Sequence, residues 1–93
     1  MSDQSSSRVP ALSRGVRMRE DKARGGWVLL APERVFKLDD IGRAVLEYTD
    51  GVRSEAEIID LLAARYSADR AQIASDVAQF FDGLSQRRVL EFH

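Results

Sequence analysis

The sequence predicts an α+β domain, a three-stranded antiparallel sheet followed by a bundle of three helices. Three observations carry this reading. Residues 16–38 hold three short runs of alternating or continuous apolar residues, divided by turn-forming glycine and proline. Residues 39–86 hold three runs with apolar residues three and four apart, each preceded by a residue able to cap a helix. The length of 93 residues, 44% of them hydrophobic, suits one small domain with a single modest core.

Residues 1–14 are rich in serine and lack periodicity; they are expected to be a flexible N-terminal arm, with the folded domain spanning 15–93. In "VRMRE" (16–20), Val16 and Met18 alternate with Arg17 and Arg19, the period of a half-buried strand. "DKARGG" (21–26) is a polar connection. "WVLLA" (27–31) is apolar on both faces, as a central strand would be. Pro32 ends it, and "APER" suits a type I turn with proline in second place. "RVFKL" (34–38) is the third strand, with Phe36 and Leu38 on one face. In such a meander the first or third strand lies at an edge.

Asp39 can cap the first helix, with Leu38 as a hydrophobic staple. Ile41, Val45, Leu46 and Tyr48 supply its apolar face, and Asp50-Gly51 is expected to close it. Ser54 opens the second helix, and Glu57 three residues on completes a capping box. The face of that helix is Ile58, Ile59, Leu61, Leu62 and Tyr66. The third helix starts at Ser67 or Asp69 and reaches about Gln86. Ile73, Val77, Phe80 and Leu84 form its expected core stripe, and Ala74, Ala78 and Phe81 form a second row beside it. "RVLEF" (88–92) reads as a short closing strand or an ordered tail.

The chemistry available is narrow. There is no cysteine, which removes disulfides, thiolate nucleophiles and cysteine metal sites. The one histidine is His93, and a mobile final residue cannot hold a general base or a metal in place. Asp39-Asp40 is read as a cap and a first-turn carboxylate favoured by the helix dipole; as a metal or acid–base pair its neighbours would point about 100° apart. Gly25-Gly26 lacks the lysine and hydroxyl of a phosphate-binding loop. Tyr48, Tyr66 and Trp27 read as packing residues. No enzyme, no cofactor and no metal site are expected.

No run approaches the roughly 18–20 apolar residues that cross a bilayer, and no apolar segment opens the chain, so a soluble cytoplasmic protein without membrane contact is expected. The net charge of −1 is unevenly spread. Residues 1–24 carry six basic and three acidic groups, residues 25–60 four and eight, and residues 61–93 four of each. That lacks the strong basic excess of a dedicated nucleic-acid binder. What remains is surface: a short third strand with one row of unpaired amides, which an extended peptide can join. Beside it, Ala74, Ala78 and Phe81 would make a shallow apolar trough, unless the alanines only allow close helix packing.

At "LLAPERVFKLDD" (29–40) the chain resembles the PqqD family of pyrroloquinoline quinone biosynthesis, and more broadly the peptide-recognition domains of ribosomal peptide modification pathways. Leu29-Leu30, Pro32-Glu33 and Lys37-Leu38 carry the likeness, and Asp50-Gly51, Ser54, Tyr66, Asp76-Val77, Phe80 and Leu84 continue it, so that it covers about residues 15–92. Arg88-Val89-Leu90 lacks the glycine common in relatives before the C-terminal apolar pair.

The resemblance implies a winged-helix-like fold without catalytic activity of its own. It implies an adaptor that binds the precursor peptide PqqA and presents it to PqqE, a radical enzyme using S-adenosylmethionine and iron–sulfur clusters. It places the peptide as an added strand between the third strand and the third helix. Main-chain groups of Arg34, Val35, Phe36 and Lys37 would pair with it, and side chains of Arg70, Ile73, Ala74, Val77, Ala78 and Phe81 would select it.

Two other classes stand beside that one. A winged-helix nucleic-acid binder shares the architecture, but Asp69, Asp76 and Asp82 on the third helix would repel phosphates, so no nucleic acid is the expectation. A small enzyme would need a site that no residue pattern supplies. The acidic segment 39–60 is the expected enzyme-facing side. The chain is a monomer or, by exchange of its first strand across "DKARGG", a strand-swapped homodimer.

Overall fold

The computed structural model describes residues 8–93. The chain runs β1 (Pro10–Leu12), β2 (Arg17–Glu20), β3 (Trp27–Ala31), β4 (Arg34–Leu38), α1 (Asp40–Glu47), α2 (Glu55–Tyr66), α3 (Arg70–Gln86) and β5 (Leu90–Phe92). Strands β2, β3 and β4 form the expected antiparallel sheet in that order. Strands β1 and β5 pair antiparallel as a separate ribbon, Ala11 opposite Glu91. Among the described residues no helix is long and apolar enough to cross a membrane.

The ribbon corrects the expectation at the N-terminus. Residues 1–7 of the expected arm lie outside the described residues, but Pro10–Leu12 is a strand. Val9 and His93 exchange two main-chain hydrogen bonds of 3.3 and 2.8 Å. The backbone of His93 is therefore tied down, not mobile, while its side chain stays exposed. Nothing local announces β1; its partner sits at the far end of the chain, and "RVLEF" resolves into the strand that it joins.

The helix starts follow their capping residues. The Asp39 carboxylate accepts from the Gly42 amide at 2.7 Å. Ser54 and Glu57 form both bonds of the capping box. Asp69 caps α3, and Ser67, with φ of 50°, ends α2 in the left-handed region. Helix α1 stops at Glu47, ahead of the expected stop at Asp50-Gly51, because Asp50 instead accepts from the amides of Val52 and Arg53 and builds the next turn. The turn after β3 is also not type I. Glu33 has φ of 61°, the positive angle at the third position that marks type II.

Leu29, Leu38, Val45, Ile58, Ile59, Leu62, Val77, Phe81 and Leu90 centre the core between sheet and helices. Helix α3 turns differently from expectation. Phe81 is wholly buried and its ring meets that of Phe92 on β5 edge-on at 6.3 Å, whereas Phe80 is only half-buried. Burial of Glu55, 1% exposed, is balanced by Arg8, whose Nε lies 2.6 Å from its carboxylate. The Arg8 guanidinium also reaches Asp82 at 2.9 Å and stacks on Phe92, 3.9 Å above the ring. Burial opposes its charge, but the bonds to Glu55 and Asp82 outweigh that and hold its pKa above the ordinary value.

Candidate functional site

Strand β4 is an outer strand of the sheet, with β3 on one side and no strand on the other among the described residues. Ala31 opposite Arg34 closes a two-residue hairpin, so the hydrogen-bonded pairs are Ala31–Arg34, Leu29–Phe36 and Trp27–Leu38. The alternation leaves Val35 and Lys37 to direct their N–H and C=O groups away from β3, out of the open edge. Four main-chain groups thus lie ready for an added strand.

The side chains alternate in the other sense. Phe36 and Leu38 face the core with Leu29; Val35 and Lys37 are exposed, Val35 at 65%. The floor of the edge is rigid because Leu38 is buried and is followed at once by the cap of α1.

Helix α3 borders this edge. At one end an Arg34 Nη donates to the Arg87 carbonyl at 2.8 Å, and the Arg34 guanidinium stands 5.5 Å from the Phe36 ring centre. At the other end Lys37, Leu38, Asp39 and Phe80 line an open depression of about 400 Å³. Gly42 permits this arrangement: a Cβ there would stand 3.2 Å from the Phe80 ring. Tying one end while leaving the other open fixes the spacing between strand and helix.

The expected helix residues divide in two. Ile73, half-buried, lies seven residues before Phe80 and shares its row. Val77 and Phe81, exposed by 1% and 0%, are core side chains whose surface is not available at the edge. Ala74 and Ala78 share the Phe81 row by helical spacing, on the side turned toward β5. Arg70 is drawn to α2 by an ion pair with Asp60 of 2.6 Å. Residue patterns had placed Phe80 in the core and missed the Arg87 carbonyl altogether. The partly exposed aromatic ring next to a glycine on the facing helix was the signal available for Phe80.

Among the described residues no three histidine, cysteine or carboxylate groups gather as a metal site. The capability is recognition: a row of main-chain donors and acceptors beside an aromatic side chain and a lysine.

Comparison with known proteins fits this geometry. The family model for coenzyme PQQ synthesis protein D (PqqD) matches residues 26–90. The PqqA binding protein of Xanthomonas axonopodis pv. citri is 54% identical over 81 residues, covering 87% of this chain and 88% of that one. The solution structure of the PqqD truncation of Methylobacterium extorquens PqqCD superposes with a TM-score of 0.78 at 49% identity, over 89% of this chain and 88% of that one. That truncation is described as a functional, stand-alone recognition element for ribosomally synthesized and post-translationally modified peptides. TbiB1 in complex with the TbiA(beta) leader peptide matches with a TM-score of 0.75 at 26% identity, over 87% and 94% of the two chains.

Proposed function

The chain belongs to the PqqD family, and we propose on that ground that it is a peptide-binding adaptor of pyrroloquinoline quinone biosynthesis. It binds the precursor peptide PqqA as a strand added to β4 and presents it to the radical enzyme PqqE. It carries out no catalysis itself, works in the cytoplasm, and does so as a monomer or a strand-swapped homodimer in a winged-helix-like fold. The observation that carries this reading is the outward direction of the Val35 and Lys37 main-chain groups beside α3.

Magnitudes divide the work between main chain and side chains. Four main-chain bonds at about 1 kcal/mol each amount to about 4 kcal/mol, which by itself corresponds to roughly millimolar binding. Tighter and selective binding then needs side-chain burial, for which Ile73 and Phe80 are placed; Arg34 holds the hairpin against α3. A ring such as Phe80 that exchanges water for an apolar peptide side chain adds about 1–2 kcal/mol.

The test is Val35→Pro. The Val35 amide makes no bond to β3, so proline removes a donor from the edge and none from the sheet. The expected result is PqqA affinity weakened about fivefold, with the melting temperature lowered by only a few degrees. Anisotropy of labelled PqqA and a thermal melt measure the two. A folded variant with unchanged affinity contradicts the site.

A further inference from the structure

The sheet has a second face. The helices cover the side that carries Met18, Leu29, Phe36 and Leu38, so alternation turns Arg17, Arg19, Val28, Leu30, Val35 and Lys37 to the other. Val28 and Leu30 there are half-buried, and the two arginines, Val35 and Lys37 are exposed. With Lys22 of the 21–26 connection, Arg19, Val28, Leu30 and Val35 line a shallow depression of about 560 Å³. An apolar centre with a basic rim is thus left open, apart from the β4 edge, which lies in the plane of the sheet.

The charges around it are uncompensated. Among the described residues Arg17, Arg19, Lys22, Arg24 and Lys37 make no ion pair; of the carboxylates nearby, Asp21 accepts from the Ala23 and Arg24 amides and Glu20 likewise makes no ion pair. The acidic segment 39–60 is largely the reverse case, Asp40 alone of its carboxylates having neither an ion pair nor a cap to make among the described residues. Asp39 and Glu57 cap helices, Glu47 pairs with Arg43 and Arg65, Asp50 with Arg53, Glu55 with Arg8 and Asp60 with Arg70. The Arg65 hydrogen bond holds Glu47 below its ordinary pKa, and the Arg53 and Val52 amides do the same for Asp50. Five basic groups against the carboxylates of Glu20 and Asp21 leave this face net cationic on a chain of net charge −1.

We propose that this second face docks the enzyme that modifies the bound peptide, and that the enzyme meets it with an acidic surface centred on apolar side chains. The proposal rests on the reading of β4 as the peptide edge. A strand added there continues the sheet and turns every second side chain onto this same face, next to Val35 and Lys37. A partner resting on the face touches adaptor and peptide together, so the peptide-loaded protein binds it more tightly than the free one. Nucleic acid is the poorer occupant: the face has no aromatic ring on which bases could stack, and Glu20 and Asp21 border it.

The test uses the full chain with Arg17→Glu and Arg19→Glu together, both residues being exposed and outside the peptide edge. PqqA affinity is read by anisotropy, and PqqE affinity by interferometry on the peptide-loaded protein. The expected result is PqqA affinity within about twofold and PqqE affinity at least about tenfold weaker, with Arg17→Lys/Arg19→Lys retaining both. Wild-type binding of PqqE also weakens as salt rises. Intact PqqA binding with unaltered PqqE affinity overturns the docking face alone, whereas a wild-type chain that binds no PqqA overturns the edge reading and this one with it. A charge-dependent contact with phosphatidylglycerol vesicles or duplex DNA, lost in the glutamate variant while PqqE binding persists, reassigns the face and overturns the proposal.

Discussion

Two adjacent phenylalanines divide α3 between stability and recognition. Phe81 has no exposed surface and packs against Phe92, while Phe80, close against Gly42, lines the open end of the β4 edge. Phe81→Ala should cost about 3–5 kcal/mol, a large share of the roughly 5–15 kcal/mol that holds such a domain together. Phe80→Ala should cost about 1 kcal/mol in stability but weaken PqqA roughly tenfold. Urea unfolding and peptide titration of the pair separate these effects; equal losses of stability would contradict the division. Periodicity could not make this assignment, because 73–77–80–84 and 74–78–81 are both proper helical rows. The buried face straddles both rows, taking Val77 and Leu84 from the first and Phe81 from the second, and Phe92 of β5 packs on the Phe81 side.

The elements with local signals were legible in the sequence. Strands β2, β3 and β4 and the three helix starts carry their own alternation or caps, and each lies within a residue or so of its expected place. The elements without such signals were not. Strand β1 exists because residues 90–92 are present to pair with it, and Arg8 fastens it to α2 and α3 through Glu55 and Asp82. Arg88 likewise holds φ of 63°, in the left-handed region that favours glycine, so nothing in its residue type announces the turn into β5. Arg8→Ala should destabilise the domain by about 2–3 kcal/mol, since it strips the counter-charge from a carboxylate that is 1% exposed. Urea unfolding measures it, and the Arg8→Ala/Glu55→Gln double variant should lose less than the single one. A single variant as stable as wild type would show that the ribbon needs no such fastening.

At the scale of the whole molecule, the sheet has two open edges among the described residues, β2 and β4, and peptide binding as proposed uses the second. Only β4 has α3 beside it, tied by Arg34 to Arg87 at one end and open at Phe80 at the other. The position of that strand was readable in residues 34–38. The residues of α3 that line it were not, since they depend on how the helix is rolled about its axis. An amide NMR titration of the full chain with PqqA tests the choice of edge most directly. The largest shifts are expected at Val35 and Lys37, with smaller ones at Ile73 and Phe80. Saturating peptide that leaves these unmoved, or that shifts Arg17–Glu20 of β2 in their place, would contradict that choice.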